Sequence, residues 1–261
     1  MDLGLKGQVA IVTGGSRGIG KAVAKALLEE GVHVVIGSRT QQQIDETVQE
    51  LSTVGSITGF PLDVGERESA RQFVEKTLEL HDRIDILVNC AGINFRHPAD
   101  TYTEEAWNRV LNINLSGVYR MCQEAGRKMI EQKSGCIINI TSMMTHRVNP
   151  NQSAYAASKA GVAQYTRLLA VEWAKHNVRV NAVSPGYIET ELTKGTFANE
   201  DYARKVLELT PQNRFGKPEQ VADPIVFLAS PRASFITGHV LAVDGGFLAG
   251  YPHLNVVQPA N

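Results

Sequence analysis

Short runs rich in Val and Ile, at residues 9–13, 32–36, 57–62, 84–88, 136–141, 178–183 and 240–243, recur along the chain with helix-length segments between them. Near-continuous apolar strands need cover on both faces, and a strand-helix-strand unit closes right-handedly, so this alternation leaves few architectures. The expectation is an α/β fold: a doubly wound, Rossmann-type, seven-stranded parallel sheet with helices on both faces. Helical patterning is clearest over residues 18–30, 104–132 and 152–176, and Gly31 is placed to cap the first of these. A chain of 261 residues, 43% of them hydrophobic, can bury such a sheet as a single domain spanning residues 1–261.

Two segments stand outside the alternation. Residues 185–199 read as an irregular stretch ahead of a short helix at 201–209, so the piece from about 185 to 210 is expected to be a substrate loop. Residues 250–261, with Pro252 and Pro259, read as a C-terminal tail.

Charge and cysteine content exclude several classes of partner. The net charge is -1 and the two signs are interspersed, which offers no electrostatic footprint for nucleic acid or an anionic membrane. No run of roughly 18 apolar residues marks a membrane span. The start, Met1-Asp2-Leu3-Gly4, lacks the basic and apolar regions of a secretory signal, and a cytoplasmic location is expected. Cys90, Cys122 and Cys136 are scattered without ligand spacing, which implies reduced thiols and no metal site. The expected partner is a small molecule.

The chemistry begins at Thr13-Gly14-Gly15-Ser16-Arg17-Gly18-Ile19-Gly20, a glycine-rich turn that follows a strand and opens a helix. That context reads as a phosphate cradle, because the helix N-terminus attracts anions and glycine lets them approach the backbone. The spacing is Gly14-x3-Gly18-x-Gly20 rather than the usual Gly-x-Gly-x-x-Gly. Farther along, Tyr155 and Lys159 are four residues apart on a helix, which places their Cβ atoms roughly 5–6 Å apart. An ammonium beside a phenol favours phenolate and would bring the phenol down from about 10 toward neutrality, as proton transfer requires. Ser142, at a strand end, is a candidate second donor to a substrate oxygen on which charge develops.

Taken with Asp63-Val64, Asn89-Cys90-Ala91-Gly92, Asn114, Pro185-Gly186 and Asp244-Gly245-Gly246, these motifs resemble, in order and across nearly the whole chain, the short-chain dehydrogenase/reductase family. Cys90 stands where the family commonly has a second Asn, at a position that is mainly structural there. The resemblance implies a nicotinamide cofactor, pro-S hydride transfer and a homotetramer. It implies that Tyr155 is the acid/base, that Ser142 binds the substrate oxygen, that Lys159 supports the phenolate and the nicotinamide ribose, and that Asn114 holds a water linked to the lysine. Asn112 is then a packing or surface residue. For the cofactor it implies Gly14, Ser16, Arg17, Gly18, Ile19 and Gly20 around the phosphates, and Asp63 and Val64 at the adenine. Asn89, Ala91 and Gly92 would border the ribose, with Pro185, Gly186, Ile188 and Thr190 at the nicotinamide amide. Met121, Met129 and Leu168 are either subunit contacts or core.

The second strand ends in Gly37-Ser38-Arg39, without the carboxylate that would bind a ribose 2′-hydroxyl. A 2′-phosphate wants arginines and hydroxyls, so Arg17, Ser38 and Arg39 favour NADP(H) over NAD(H). The substrate pocket is expected from residues 94–98, 143–152 and 187–202, which follow strands four, five and six. Asn94, Arg96, His97, His146, Arg147 and Asn149 could bind hydroxyls or a carboxylate, while Met143, Met144, Tyr187 and Phe197 could form an apolar wall. Asn94-Phe95-Arg96 and Glu172-Trp173-Ala174 are similar to stretches of sugar-acid dehydrogenases of the gluconate 5-dehydrogenase type, which points to a ketose, polyol or sugar acid. Two alternatives stay open: a ketoacyl (acyl-carrier-protein) reductase, which a basic rim would favour, and an NADP(H)-binding sensor or scaffold without turnover.

Overall fold

The computed structural model describes residues 2–250 and Pro252, so the tail expected at 250–261 lies almost wholly outside the described residues. Strands β1 (Val9–Thr13), β2 (His33–Ser38), β3 (Ile57–Pro61), β4 (Ile86–Asn89), β5 (Gly135–Ile140), β6 (Val178–Pro185) and β7 (Val240–Val243) form one sheet. Its order is β3-β2-β1-β4-β5-β6-β7, and every pairing is parallel. This is the doubly wound arrangement expected from the alternation of strand and helix patterns. The central strands earn their continuous apolar character from cover on both faces: all residues of β1 and β4 are buried.

Helices α1 (Gly18–Glu29), α2 (Gln41–Leu51), α3 (Arg67–His81), α4 (Glu104–Leu111), α5 (Gly117–Gln132), α6 (Ser153–Trp173), α7 (Glu191–Phe197), α8 (Glu200–Leu209) and α9 (Pro218–Ala229) connect the strands. One core layer joins Val23 and Leu27 of α1 with Ile225 of α9 and alternate strand residues such as Val12 and Ile36. The opposite layer holds Phe73 of α3, Met121 and Met129 of α5 and Leu169 of α6 against Ile11 and Ile137. Met121 and Met129 are therefore core residues, while Leu168 is exposed. Gly31 takes φ +75° and its N–H bonds the Leu28 carbonyl, which stops α1 before β2.

Two segments depart from the sequence expectation. The helix expected at 104–132 carries a π turn, Asn112–Ser116, between α4 and α5. Hydrophobic periodicity cannot reveal one extra residue in a turn, and the contact that accompanies it is distant in sequence: the Asn114 carboxamide clasps the backbone of Ile93, accepting its N–H at 2.9 Å and donating to its carbonyl at 2.9 Å. The stretch at 185–199 is not irregular throughout. β6 runs through Pro185, and α7 follows a turn in which Thr193 Oγ1 accepts the Thr190 N–H at 2.9 Å and donates to the Ile188 carbonyl at 2.6 Å. These local side-chain bonds to the backbone offset the helix-weakening Gly195. No described helix is long and apolar enough to cross a membrane, and no cluster of His, Cys, Asp or Glu among the described residues could hold a metal.

Candidate active site

The sheet order reverses at β1, which lies between β2 and β4, and a groove of about 570 Å³ opens there at the carboxyl ends of the strands. Gly14, Ser16, Arg17, Gly18, Ile19 and Gly20 line one side, with Ser38, Arg39, Asp63, Val64, Ala91, Gly92 and Thr190 around the rest. The glycine turn is tight by necessity. A Cβ on Gly20 would lie 2.2 Å from the Gly14 carbonyl oxygen, and one on Gly14 would lie 3.0 Å from the Ala91 Cα. Thr13 Oγ1 accepts the N–H groups of Cys90 and Ala91 at 3.1 and 3.2 Å, which ties the end of β1 to the loop after β4.

This donor set fits a phosphorylated dinucleotide. The first turn of α1 contains no acidic residue and has no side-chain cap, so its N–H groups face the groove without a competing anion. The Ser38 hydroxyl is buried without a hydrogen-bond partner, and exposed Arg17 and Arg39 line the same groove. Asp63 spends one carboxylate oxygen on the Gly65 N–H at 2.8 Å.

Several expected cofactor residues sit elsewhere. Asn89 turns into the interior, where its amide donates to Asn139 Oδ1 at 2.8 Å and to Cys122 Sγ at 3.3 Å, so its side chain does not border the groove. The alternation of side chains along β4 sends it to the opposite face from the loop residues that follow. Pro185 is buried as the last residue of β6, paired with Val243. Ile188 faces a separate cavity of about 360 Å³ behind the loop, and Gly186 opens on the substrate side. Cys90, Ile93, Ile113 and Leu192 also line the groove and were not anticipated. Leu192 comes from α7, which local patterning did not reveal.

Helix α6 brings Tyr155 and Lys159 to the end of β5, where Ser142 stands. Lys159 is 4% exposed and its ammonium donates to the Ile140 carbonyl at 2.7 Å. It lies 5.7 Å from the centre of the Tyr155 ring, and burial brings its pKa down to about 8. Burial holds the Tyr155 phenol above its ordinary value, against the opposing effects of a hydrogen bond with Ser142 and the charge of Arg96. The expected lowering of the phenol by Lys159 is therefore not the arrangement found, because the ammonium is turned onto a backbone carbonyl. At neutral pH this Tyr155 keeps its proton and is poised as a donor. Asn114 is fully buried, and its amide also reaches Ser158 Oγ at 3.3 Å. A Cβ on Gly92 would meet both Asn114 Oδ1 and Lys159 Nζ, which shows how closely the three converge under the groove. Asn112 packs instead, donating to the Gly65 carbonyl and accepting from Arg120.

Beside Ser142 and Tyr155 lies a third cavity, of about 400 Å³. Asn94, Phe95 and Arg96 form one wall, Met143, Met144, Asn149 and Gln152 another, and Tyr187, Leu192 and Thr193 a third. Arg96 is the one charged lining residue among those described. His97 and His146 do not line it, and Arg147 lies over the Phe247 ring at 5.0 Å. Asn149 donates to the Tyr187 hydroxyl at 2.8 Å, and that hydroxyl lies 3.0 Å from Tyr202, so the loop after β6 is pinned to the loop after β5.

Residues 14–248 match the family model described as Enoyl-(Acyl carrier protein) reductase. The chain is 41% identical over 245 residues to the 3-oxoacyl-(acyl-carrier-protein) reductase FabG of Thermotoga maritima, covering 94% of this chain and 99% of that protein. It is 40% identical over 246 residues to the 2-dehydro-3-deoxy-D-gluconate 5-dehydrogenase of Bacillus subtilis, covering 94% and 96%. A solved structure described as an NAD(P)-dependent gluconate 5-dehydrogenase of Beutenbergia cavernae, with bound NADP, superposes with a TM-score of 0.92 at 39% identity over 96% of this chain and all of that one.

Proposed function

The chain belongs to the short-chain dehydrogenase/reductase family, NAD(P)-dependent oxidoreductases acting on CH–OH and C=O groups, and we propose that it interconverts a small sugar acid, ketose or polyol and its oxidised form with NADP(H). The observation that carries the reading is the junction of two spaces: a dinucleotide groove lined by Arg17, Ser38 and Arg39, and a cavity of mixed polar and apolar lining holding Ser142, Tyr155 and Arg96.

The chemistry of these residues is concrete. The nicotinamide, when bound, supplies or accepts the hydride. Tyr155 gives its phenolic proton to the substrate oxygen as charge develops there, and Ser142 offers that oxygen a second hydrogen bond. The Lys159 ammonium, 5.7 Å from the centre of the Tyr155 ring, would offset the negative charge left on it and would be the group to meet a ribose hydroxyl when the cofactor is bound. Asn114, its side chain bonded to Ile93 and Ser158 close to Lys159, is the residue that would hold a water linked to the lysine. In the oxidative direction the same groups act in reverse.

Arg96 supports an anionic substrate, since a guanidinium at the rim of a small cavity matches a carboxylate. The cavity's modest volume and single charge favour this over the ketoacyl thioester handled by the Thermotoga relative. Homotetramerisation belongs to the same proposal, supported by the exposed Tyr119, Leu168 and Val171 on α5 and α6. A cytoplasmic location is proposed on the three free cysteines. The test is initial rates of NADPH and NADH oxidation against keto sugar acids, ketoses and an acetoacetyl thioester. Preferred NADPH-linked reduction of a keto sugar acid or ketose supports the proposal; preference for the thioester overturns its substrate class.

A further inference from the structure

The cavity of about 360 Å³ behind the substrate loop takes no part in the chemistry above, yet its lining is polar and highly ordered. Arg214 and Asp244 are its charged members among the described residues. Asp244 is already satisfied, because its two carboxylate oxygens accept the N–H groups of Gly246 and Leu248, each at 2.9 Å. Arg214 is held by neutral groups alone. Its Nη1 donates to the Phe215 carbonyl at 3.2 Å and to Gln220 Oε1 at 2.8 Å, and its Nη2 donates to Gln212 Oε1 at 2.8 Å. Arg204, on the preceding helix, pairs instead with the carboxylates of Asp201 and Glu208. The bonds of Arg214 use three of the five N–H donors of a guanidinium. The two left over, one on Nε and one on Nη2, sit on adjacent nitrogens, a spacing that two oxygens of one carboxylate or phosphate group match.

The two glutamines extend the same chemistry. Each spends its carboxamide oxygen on Arg214, and Gln220 Oε1 also accepts the Lys217 N–H at 3.0 Å. What remains of each carboxamide is its NH2 group, a pure donor that makes no hydrogen bond with the described residues. All three side chains are exposed, so these donors are open to a ligand from solvent. We infer that this cavity is a second ligand site, separate from the cofactor groove and the substrate cavity, and that it binds a small oxyanion, a phosphate or carboxylate group, between Arg214, Gln212 and Gln220. The site abuts the substrate loop. Gly216 donates to the Tyr187 carbonyl and accepts the Glu189 N–H, both at 2.9 Å, and Phe215 stacks on Phe197 of α7 with ring centres 3.9 Å apart. Tyr187 lines this cavity and the substrate cavity alike. The site is independent of the substrate class assigned above.

The experiment is isothermal titration calorimetry on the enzyme saturated with NADP+, so that the groove at the glycine turn is already filled. Sodium phosphate and sodium acetate are titrated separately, against sodium chloride at equal ionic strength, into the unmodified enzyme and into Arg214→Gln, Gln212→Leu and Arg96→Gln. Circular dichroism and NADPH fluorescence check that each variant keeps its fold. The expected result is binding of about one oxyanion per chain, with an affinity that Arg214→Gln lowers about 10-fold or more and Gln212→Leu about 3-fold or more. Arg96→Gln, which alters the substrate cavity instead, should leave it within about 2-fold. The tighter of the two salts identifies the oxyanion as phosphate or carboxylate. Absence of heat beyond that of chloride for both salts would overturn the inference, as would binding that Arg214→Gln leaves unchanged or that Arg96→Gln removes. Should Arg214→Gln fail to fold, Gln212→Leu decides: unchanged affinity in that variant overturns the inference as well.

Discussion

Replacing Lys159 by Met removes a cation that the fold holds out of water. The ammonium is 4% exposed, with one hydrogen bond to the Ile140 carbonyl and no carboxylate partner, and burial depresses its pKa from 10.5 to about 8. At about 1.36 kcal/mol per pKa unit, this depression is a cost of about 3 kcal/mol to the folded state whenever the lysine is protonated. Its sign with pH is set by which state holds the proton. Below the folded pKa of about 8, both states carry the proton and the whole cost is present. Between that value and 10.5, the unfolded chain holds a proton that the folded protein has released, so stability rises with pH; above 10.5 both are neutral and the cost is gone. Met also leaves the Ile140 carbonyl without its donor, at about 1–3 kcal/mol, so the absolute change at neutral pH is small. The diagnostic is the pH-dependent part. Urea unfolding of the nucleotide-free protein, followed by circular dichroism from about pH 7 to about pH 10, should show the stability of Lys159→Met relative to the unmodified protein falling by about 2–3 kcal/mol across the range. A difference that stays constant over that range would refute the reasoning and imply that Lys159 is better solvated than its burial indicates.

The other predictions concern the groove and the cavity. Arg39→Ala should weaken NADPH by about 10-fold, the lower end for a charge-assisted bond because this arginine is exposed, and change NADH by about 2-fold or less in fluorescence titrations. Equal losses would remove the 2′-phosphate assignment. Gly20→Ala would set a methyl group 2.2 Å from the Gly14 carbonyl oxygen. It should cost about 1–3 kcal/mol in urea unfolding and abolish measurable nucleotide binding in calorimetry, since the turn must open to relieve the clash. Arg96→Gln should raise KM for a keto sugar acid about 10-fold or more while leaving a neutral ketose within about 3-fold; parallel changes on both would show that Arg96 does not bind the carboxylate.

Much of the fold was legible because parallel strands buried on both faces announce themselves as continuous Val and Ile runs, and Gly31 marked the end of α1. The groove was legible from the glycine turn, and the meeting of Ser142 with Tyr155 from the strand end and the helical spacing. Features made by individual side-chain bonds to the backbone were not. The π turn exists because Asn114 grips Ile93, and α7 because Thr193 closes its own first turn. Neither leaves a periodic signal. Asn89 looked like a groove residue by position, but the pleat of β4 turns it toward Asn139 and Cys122. The electrostatic reading of the Tyr155 and Lys159 pair failed for a related reason: helical spacing brings the two together but cannot say that the ammonium bonds the Ile140 carbonyl, or that burial of the phenol outweighs the opposing effects of Ser142 and Arg96.

The central claim is that Tyr155 is the proton donor of an NADP(H)-linked carbonyl reductase, and the most direct measurement is turnover and NADPH binding of Tyr155→Phe beside the unmodified enzyme on its best carbonyl substrate. The variant should bind NADPH within about 2-fold of the original and lose about 10²–10⁴-fold in kcat, the contribution of a positioned general acid. Turnover within a few-fold of the original enzyme, with binding intact, would contradict the claim and move the proton to another group.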